Sequence, residues 1–154
     1  MIRRYRVLSF FMAGVFFISG CSTLSTISSN QPDVSIRIME KPYTPMPVKE
    51  EFQVRTFGSY HFVAEKKGAD PLYGIIPLYV KIENIILGAL FFAPTILFTA
   101  RGAYPFYEID YEKAIIRYSN DGQGWYDYKI QSEESDYSKI YYKDLDREKT
   151  AKKE

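Results

Sequence analysis

Residue types that could do chemistry are scarce in this 154-residue chain, which has one cysteine, Cys21, and one histidine, His61. Glu108 and Asp110 would project from one strand face about 7 Å apart, a separation loosely suited to the paired carboxylates of glycoside hydrolysis. Acids at this spacing are also common on exposed strand faces, which is the interpretation we prefer. No Gly-x-Ser-x-Gly elbow is present to pair with His61. We therefore predict a protein without enzymatic activity, metal or other cofactor.

The chain around Cys21 has the order of an export signal. A basic start precedes an apolar core, which at about twelve residues is shorter than the roughly twenty needed for a permanent membrane-spanning helix. Small residues then lead directly into the thiol. The residues concerned are Arg3, Arg4 and Arg6, the core from Val7 to Ile18, and Ser19 and Gly20.

This arrangement resembles the signal peptide and lipobox of bacterial lipoproteins, with Ile18, Ser19 and Gly20 before the modified cysteine. The resemblance implies that residues 1–20 are removed and that Cys21 carries acyl chains which bind membrane lipid. Two or three chains hold a protein on a bilayer, whereas one holds it only marginally. By the same resemblance, Ser22 in place of Asp favours the outer membrane, with the domain facing the periplasm.

The remaining 134 residues have the size of one domain. Removal of the three arginines from 20 basic residues leaves 17 against 19 acidic residues, a formal charge of −2. This balance lacks the basic footprint of nucleic-acid binding. We predict a lipidated cysteine and flexible tether over residues 21–31, since Ser22 to Gln31 is polar and aperiodic, a single β-rich domain over 32–131 and a charged tail over 132–154.

Alternating apolar and polar residues predict a mainly β fold, with α+β as the alternative. The first strand would direct Val34, Ile36 and Ile38 to one side. A hairpin is predicted between Phe52 and Ala64, because Gly58-Ser59 suits a two-residue type II′ turn. Turn-rich sequences then predict an antiparallel meander, formed by Tyr104 to Asp110, Ala114 to Tyr118 and Trp125 to Ile130.

The central segment, residues 72–100, is predominantly apolar, and Ile85 to Ala100 is a run of sixteen residues without a charge. As a helix this run would be about 24 Å long, against a hydrocarbon core of about 30 Å. Three interpretations remain open. The segment could consist of core elements broken at Pro94, which we prefer, of a transmembrane span, or of an exposed surface that rests on a membrane or docks a partner.

The tail is highly charged but contains apolar residues at helical spacing. Tyr137, Ile140, Tyr141 and Leu145 predict a short amphipathic helix over Tyr137 to Arg147. A solvated and partly disordered tail is the alternative.

Two function classes follow from these patterns. The first is a non-enzymatic structural or interaction component that binds another envelope protein through Ile85–Ala100 or through tyrosine-rich faces. The second is a glycan- or peptidoglycan-binding module with exposed aromatic side chains as stacking surfaces. The stacking candidates are Trp125, Tyr126 and Tyr128, followed by Tyr141 and Tyr142. In organisation the chain resembles small bacterial envelope lipoproteins without an assigned role.

Overall fold

The structure is a computed structural model that describes residues 22–53, 57–91 and 100–152. The predicted lipidation residue Cys21 and the lipobox residues Ile18, Ser19 and Gly20 lie outside the described residues. The strands are β1 (Ser22–Ser29), β2 (Val34–Ile38), β3 (Lys41–Tyr43), β4 (Val48–Gln53), β5 (His61–Lys66), β6 (Leu72–Ile75), β7 (Leu78–Val80), β8 (Arg101–Ala103), β9 (Phe106–Asp110), β10 (Ile115–Ser119) and β11 (Tyr126–Lys129). The helices are α1 (Ile82–Phe91) and α2 (Ser132–Ala151).

The strands form a five-stranded sheet in the order β11-β10-β9-β1-β4, a four-stranded sheet in the order β3-β2-β5-β6, and the β7-β8 pair. The predicted mainly β class with a C-terminal helix is confirmed. The meander is also confirmed, because β9 pairs antiparallel with β10 and β10 with β11. The β1–β9 pair is parallel.

The predicted tether is wrong, because Ser22–Ser29 form β1 in the interior of the five-stranded sheet. Ser25 and Ile27 are fully buried, and the Ser25 hydroxyl donates to the Tyr104 carbonyl at 2.6 Å. Serine and threonine are polar enough to suggest a linker, yet β-branched threonine and isoleucine suit a strand whose neighbours supply the ladder. Ser22 therefore already belongs to the folded domain.

The predicted hairpin around Gly58 is also wrong. β4 pairs with β1 in the five-stranded sheet, whereas β5 pairs with β2 and β6 in the four-stranded sheet. Gly58 does adopt a positive φ of 81°, but it lies in a connection between sheets; residues 54–56 of the predicted hairpin lie outside the described residues. Alternation identifies the buried face of a strand and leaves its partner undetermined.

The core lies between the two larger sheets. Ile27, Tyr107 and Ile116 from one sheet and Ile36 and Phe62 from the other belong to a single cluster of buried side chains. The four-stranded sheet is also covered on its outer face, where Val63 packs with residues of α2. The result is three layers, two sheets and a helix.

The tail is a regular helix of 20 residues, longer than the predicted segment. Its predicted apolar face is partly wrong, because Tyr137 and Ile140 are 66% and 57% exposed. The residues that α2 buries are Ser138, Tyr142 and Leu145.

The apolar segment contains β6, β7 and α1, and its residues 92–99 lie outside the described residues. In α1, Ile82, Ile86 and Leu90 are 65%, 54% and 71% exposed. The expectation of a core element therefore fails for this helix. Among the described residues, no helix combines the length and the apolar character that crossing a bilayer requires.

Candidate functional site

His61 occupies a structural position beneath α2. Its Nδ1 lies 2.9 Å from the Ser138 hydroxyl, which donates to the Gly74 carbonyl at 2.6 Å. The serine proton is thus committed to a carbonyl, and Ser138 is fully buried, so this pair lacks the accessible nucleophile of a serine hydrolase. The imidazole also stacks on Tyr141, with ring centroids 4.5 Å apart. Burial lowers its pKa.

The carboxylates of Glu108 and Asp110 are each held by neighbouring groups. Arg117 donates to Glu108 at 2.7 Å. Asp110 accepts the backbone N–H of Lys113 at 3.1 Å in the β9–β10 turn. Although burial alone would raise the pKa of Asp110, hydrogen bonds from Lys113 and Asn30 hold it below its ordinary value. Both acids are held by neighbouring groups of the sheet and its turn, but the expected exposed strand face is wrong for Asp110, which is 4% exposed.

The loop between β10 and β11 is a closed turn that positions Trp125. Asp121 accepts the N–H groups of Gln123 and Gly124 at 2.9 and 3.0 Å, and these bonds lower its pKa. The Trp125 indole N–H donates back to the Gly122 carbonyl at 3.2 Å. The indole is therefore fixed at the start of β11, the edge strand of the five-stranded sheet.

Four tyrosines form a continuous row, the tyrosine row, which consists of Tyr79, Tyr104, Tyr118 and Tyr126. Tyr104 stacks on Tyr118 at 4.2 Å between ring centroids, and Tyr118 stacks on Tyr126 at 5.7 Å. Tyr79 meets Tyr104 at 5.2 Å. The stacked faces cover one another; Tyr79, Tyr104 and Tyr118 are half-buried, whereas Tyr126 at the edge is 61% exposed.

Buried Tyr107 holds the tyrosine row in place. Its hydroxyl accepts the Tyr104 N–H at 2.8 Å and donates to the Pro77 carbonyl at 2.7 Å. One side chain thereby links the start of β9 to the chain that enters β7. Burial raises the pKa values of Tyr107 and Tyr104, so both phenols are protonated at neutral pH.

The opposite face of the same edge carries a charged row. Arg117 lies between Glu108 and Asp127, its Nη1 and Nε atoms 2.7 and 3.3 Å from the two carboxylates. Its guanidinium carbon is 5.4 Å from the centroid of the Trp125 ring, a cation–π distance. The Glu108 carboxylate contributes most to the raised pKa of Arg117. We call the tyrosine row together with Arg117 and Trp125 the aromatic edge.

The structure separates the stacking candidates. Tyr126 belongs to the tyrosine row, whereas Trp125 lies with Arg117 on the other face. Tyr128 is half-buried and donates to Glu134 of α2 at 2.5 Å; burial and this carboxylate raise its pKa to about 12. Tyr142 is buried and Tyr141 packs on His61. These rings do not line one groove.

Sequence reasoning missed Tyr79, Tyr104, Tyr118 and Arg117 as members of this surface. The register of the meander could have identified part of it, because Tyr118 lies opposite both Tyr107 and Tyr126. Tyr79 arrives from a separate strand pair, a contact that no local pattern encodes.

A surface cleft of about 310 Å³ lies near the start of β3 and the end of β4. Its charged groups already have partners: Lys41 and Glu50 form an ion pair of 2.7 Å, Glu40 lies 4.0 Å from Lys149, and Glu51 accepts a hydrogen bond from Ser22. Among the described residues, no group of three or more histidine, cysteine, aspartate or glutamate side chains could hold a metal ion.

No protein-family model matches the chain, and comparison with curated proteins and with solved structures gives no match.

Proposed function

We propose that this chain is a lipid-anchored protein of the bacterial cell envelope and that its folded domain is a non-enzymatic interaction component. The anchor is Cys21, and the favoured location is the periplasmic face of the outer membrane. The arguments for the anchor are the basic start, the short apolar core and the Ile18-Ser19-Gly20-Cys21 sequence.

The aromatic edge is the observation that supports an interaction role. Arginine, tryptophan and tyrosine are the residue types that dominate binding energy in protein interfaces. Arg117 and Trp125 border the exposed edge strand on one face, and Tyr126 borders it on the other. Protein partners use such edges because they offer both side chains and backbone groups.

The stacking geometry favours a protein partner over a glycan. A sugar-binding platform presents ring faces to its ligand, but the faces of Tyr104 and Tyr118 cover each other. Arg117 occupies one face of Trp125. Tyr126, at the end of the tyrosine row, is the member that offers an exposed ring.

The anchor is tested by replacement of Cys21. Cys21→Ala should abolish incorporation of labelled fatty acid and leave an uncleaved or mislocalised precursor, because the thiol is the acylated group. Labelling that persists in this variant would overturn the lipoprotein assignment.

The role is tested by photo-crosslinking in intact cells. A photoreactive residue at Tyr126 should capture one envelope protein, and the product should be lost in Arg117→Glu. Tyr137, equally exposed at 66% on α2, provides the matched control position and should capture nothing. Retention on purified cell-wall sacculi that Tyr126→Ala abolishes, without a protein crosslink, would replace the proposal with glycan binding.

A further inference from the structure

The chain before α1 and the chain that begins β8 meet at one junction. Val80 pairs with Arg101, and the Lys81 N–H donates to the Ala100 carbonyl at 2.8 Å. Helix α1 begins at once after this junction. Its exposed residues Ile82, Ile86 and Leu90 are spaced by four, which places them on one face of the helix. Within the described part of the chain, this face is exposed, whereas an apolar stripe of a soluble domain normally packs against the core.

This junction lies at the end of the molecule where β1 begins. Ser22 lies opposite Gln53, the last residue of β4, and β8 lies beside both β1 and β4. The Arg101 guanidinium donates to the Gly58 carbonyl at 2.6 Å. Next to Gly58, Phe57 is 70% exposed. We call the surface formed by Phe57, Val80, Ile82, Ile86 and Leu90 the apolar end.

The position of Cys21 relative to the apolar end follows from covalent geometry. Consecutive Cα atoms are about 3.8 Å apart, and Ser22 is already the first residue of a strand. No spacer therefore separates the acylated residue from the folded domain. Acyl chains on Cys21 would enter the bilayer next to the first residue of β1, so this end of the domain would meet the headgroups.

We propose that the apolar end is a membrane-seating surface, which inserts into the same leaflet as the acyl chains of Cys21. This inference rests on the proposed lipid anchor. We assign a bilayer as the binding partner of the apolar end because Cys21, the lipidated residue, precedes β1 at this end of the domain. A lysine at the junction suits that occupant, since the half-buried Lys81 has a stem long enough to lie along apolar surface while its ammonium reaches the headgroups. Arg101 is held by the Gly58 carbonyl. Glu83, in the first turn of α1, is exposed.

Fluorescence quenching tests the seating surface directly. The purified acylated chain, carrying Trp125→Phe and Phe57→Trp, is placed in phosphatidylcholine vesicles with or without brominated acyl chains. An apolar surface buried about 5–10 Å into the headgroup and acyl boundary should lose about half of its tryptophan emission. The matched control carries Trp125→Phe and Glu112→Trp, because residue 112 lies in the β9–β10 turn, beyond the opposite end of β1. The tryptophan emission of this control should be the same in vesicles with and without brominated acyl chains.

The possible results separate the surface from the anchor. Unquenched emission at position 57 in a chain that carries labelled fatty acid overturns the seating surface and leaves the anchor standing. A photoreactive residue at position 86 that crosslinks to a protein in intact cells has the same meaning. The triple variant Ile82→Ser, Ile86→Ser and Leu90→Ser should restore emission at position 57 while fatty-acid labelling persists; persistent quenching in this variant overturns the role of α1.

Discussion

The two helices of this domain contrast in how sequence relates to burial. Helix α1 is almost wholly apolar, with Glu83 its one charged residue, yet Ile82 and Leu90 are 65% and 71% exposed. Helix α2 has charges on ten of its 20 residues, yet it buries Tyr142 and covers a sheet. Apolar composition thus does not decide which helix joins the core. The deciding factor is whether the rest of the fold offers a complementary surface.

The outer face of the four-stranded sheet offers such a surface to α2. Tyr142 packs with Val63 and Leu145, and its hydroxyl donates to the carbonyls of Arg37 and His61 at 2.9 and 3.0 Å. A few well-placed side chains therefore dock a polar helix, because apolar burial and satisfied hydrogen bonds occur at the same position.

The largest predicted effect is at this docking point. Tyr142→Ala should lower the free energy of unfolding by about 3–5 kcal/mol, since it removes a buried ring and leaves a cavity. Equilibrium urea unfolding of the purified protein measures this change. Ile140→Ala on the exposed side of α2 is the matched control and should stay within about 0.5 kcal/mol.

If Tyr142→Ala does not fold, Tyr142→Phe keeps the test possible. It removes only the hydroxyl and should cost about 1 kcal/mol. Equal stability of the wild type and both Tyr142 variants would show that α2 contributes little to the fold, and the contrast with α1 would disappear.

The sequence predicted elements better than it predicted their partners. The alternation of Val34, Ile36 and Ile38 correctly identified β2 and its buried face, and the turns of the meander fixed antiparallel neighbours. The chain from Phe52 to Phe62 shows the limit. Both residues face the same core, but their strands belong to different sheets. Alternation with a period of two is the same whether the two strands pair in a hairpin or lie in different sheets.

Prediction of the candidate surface was limited for a related physical reason. The sequence makes Tyr126 a stacking candidate because it is aromatic and lies in a predicted strand. Its actual surroundings depend on Tyr118 in the next strand and on Tyr79 from a distant strand pair, contacts that arise only after the sheets assemble. The residues of α1 were misjudged as core because local hydropathy does not report the surface available to cover them.

A smaller effect is predicted for the pH dependence of stability, which should act through the helix that covers His61. Burial holds the pKa of His61 below its ordinary value of 6.5, so the unfolded chain binds more protons than the folded chain below that pH. The contribution of His61 to the free energy of unfolding is then fully present above pH 6.5, and it is lost as the pH drops toward the folded-state pKa of His61. His61 contacts Tyr141 and Ser138 of α2. We therefore expect that protonation of His61 weakens the packing of α2 on the sheet.

Urea midpoints measured between about pH 7.5 and pH 5 check this expectation. The wild-type midpoint should fall with acidification, and His61→Gln, which keeps an N–H donor but does not titrate, should remove that part of the slope. Asp110 and Asp121 have lowered pKa values, so their contributions are lost only at lower pH, below their ordinary value of 3.8. An unchanged slope in His61→Gln would contradict the assignment.

The smallest predicted effect is on the folding contribution of α1. Ile86→Ser should change the free energy of unfolding by no more than about 0.5 kcal/mol, since the side chain is 54% exposed and surface substitutions are nearly neutral. Leu145→Ser in α2 provides the comparison, because Leu145 is 9% exposed and its truncation should cost at least about 2 kcal/mol. A loss at Ile86 as large as that at Leu145, measured by urea unfolding without vesicles, would place α1 in the core. A negligible loss, together with restored emission in the brominated vesicles for the triple variant, would mean that the apolar face of α1 acts on a membrane and not on the fold.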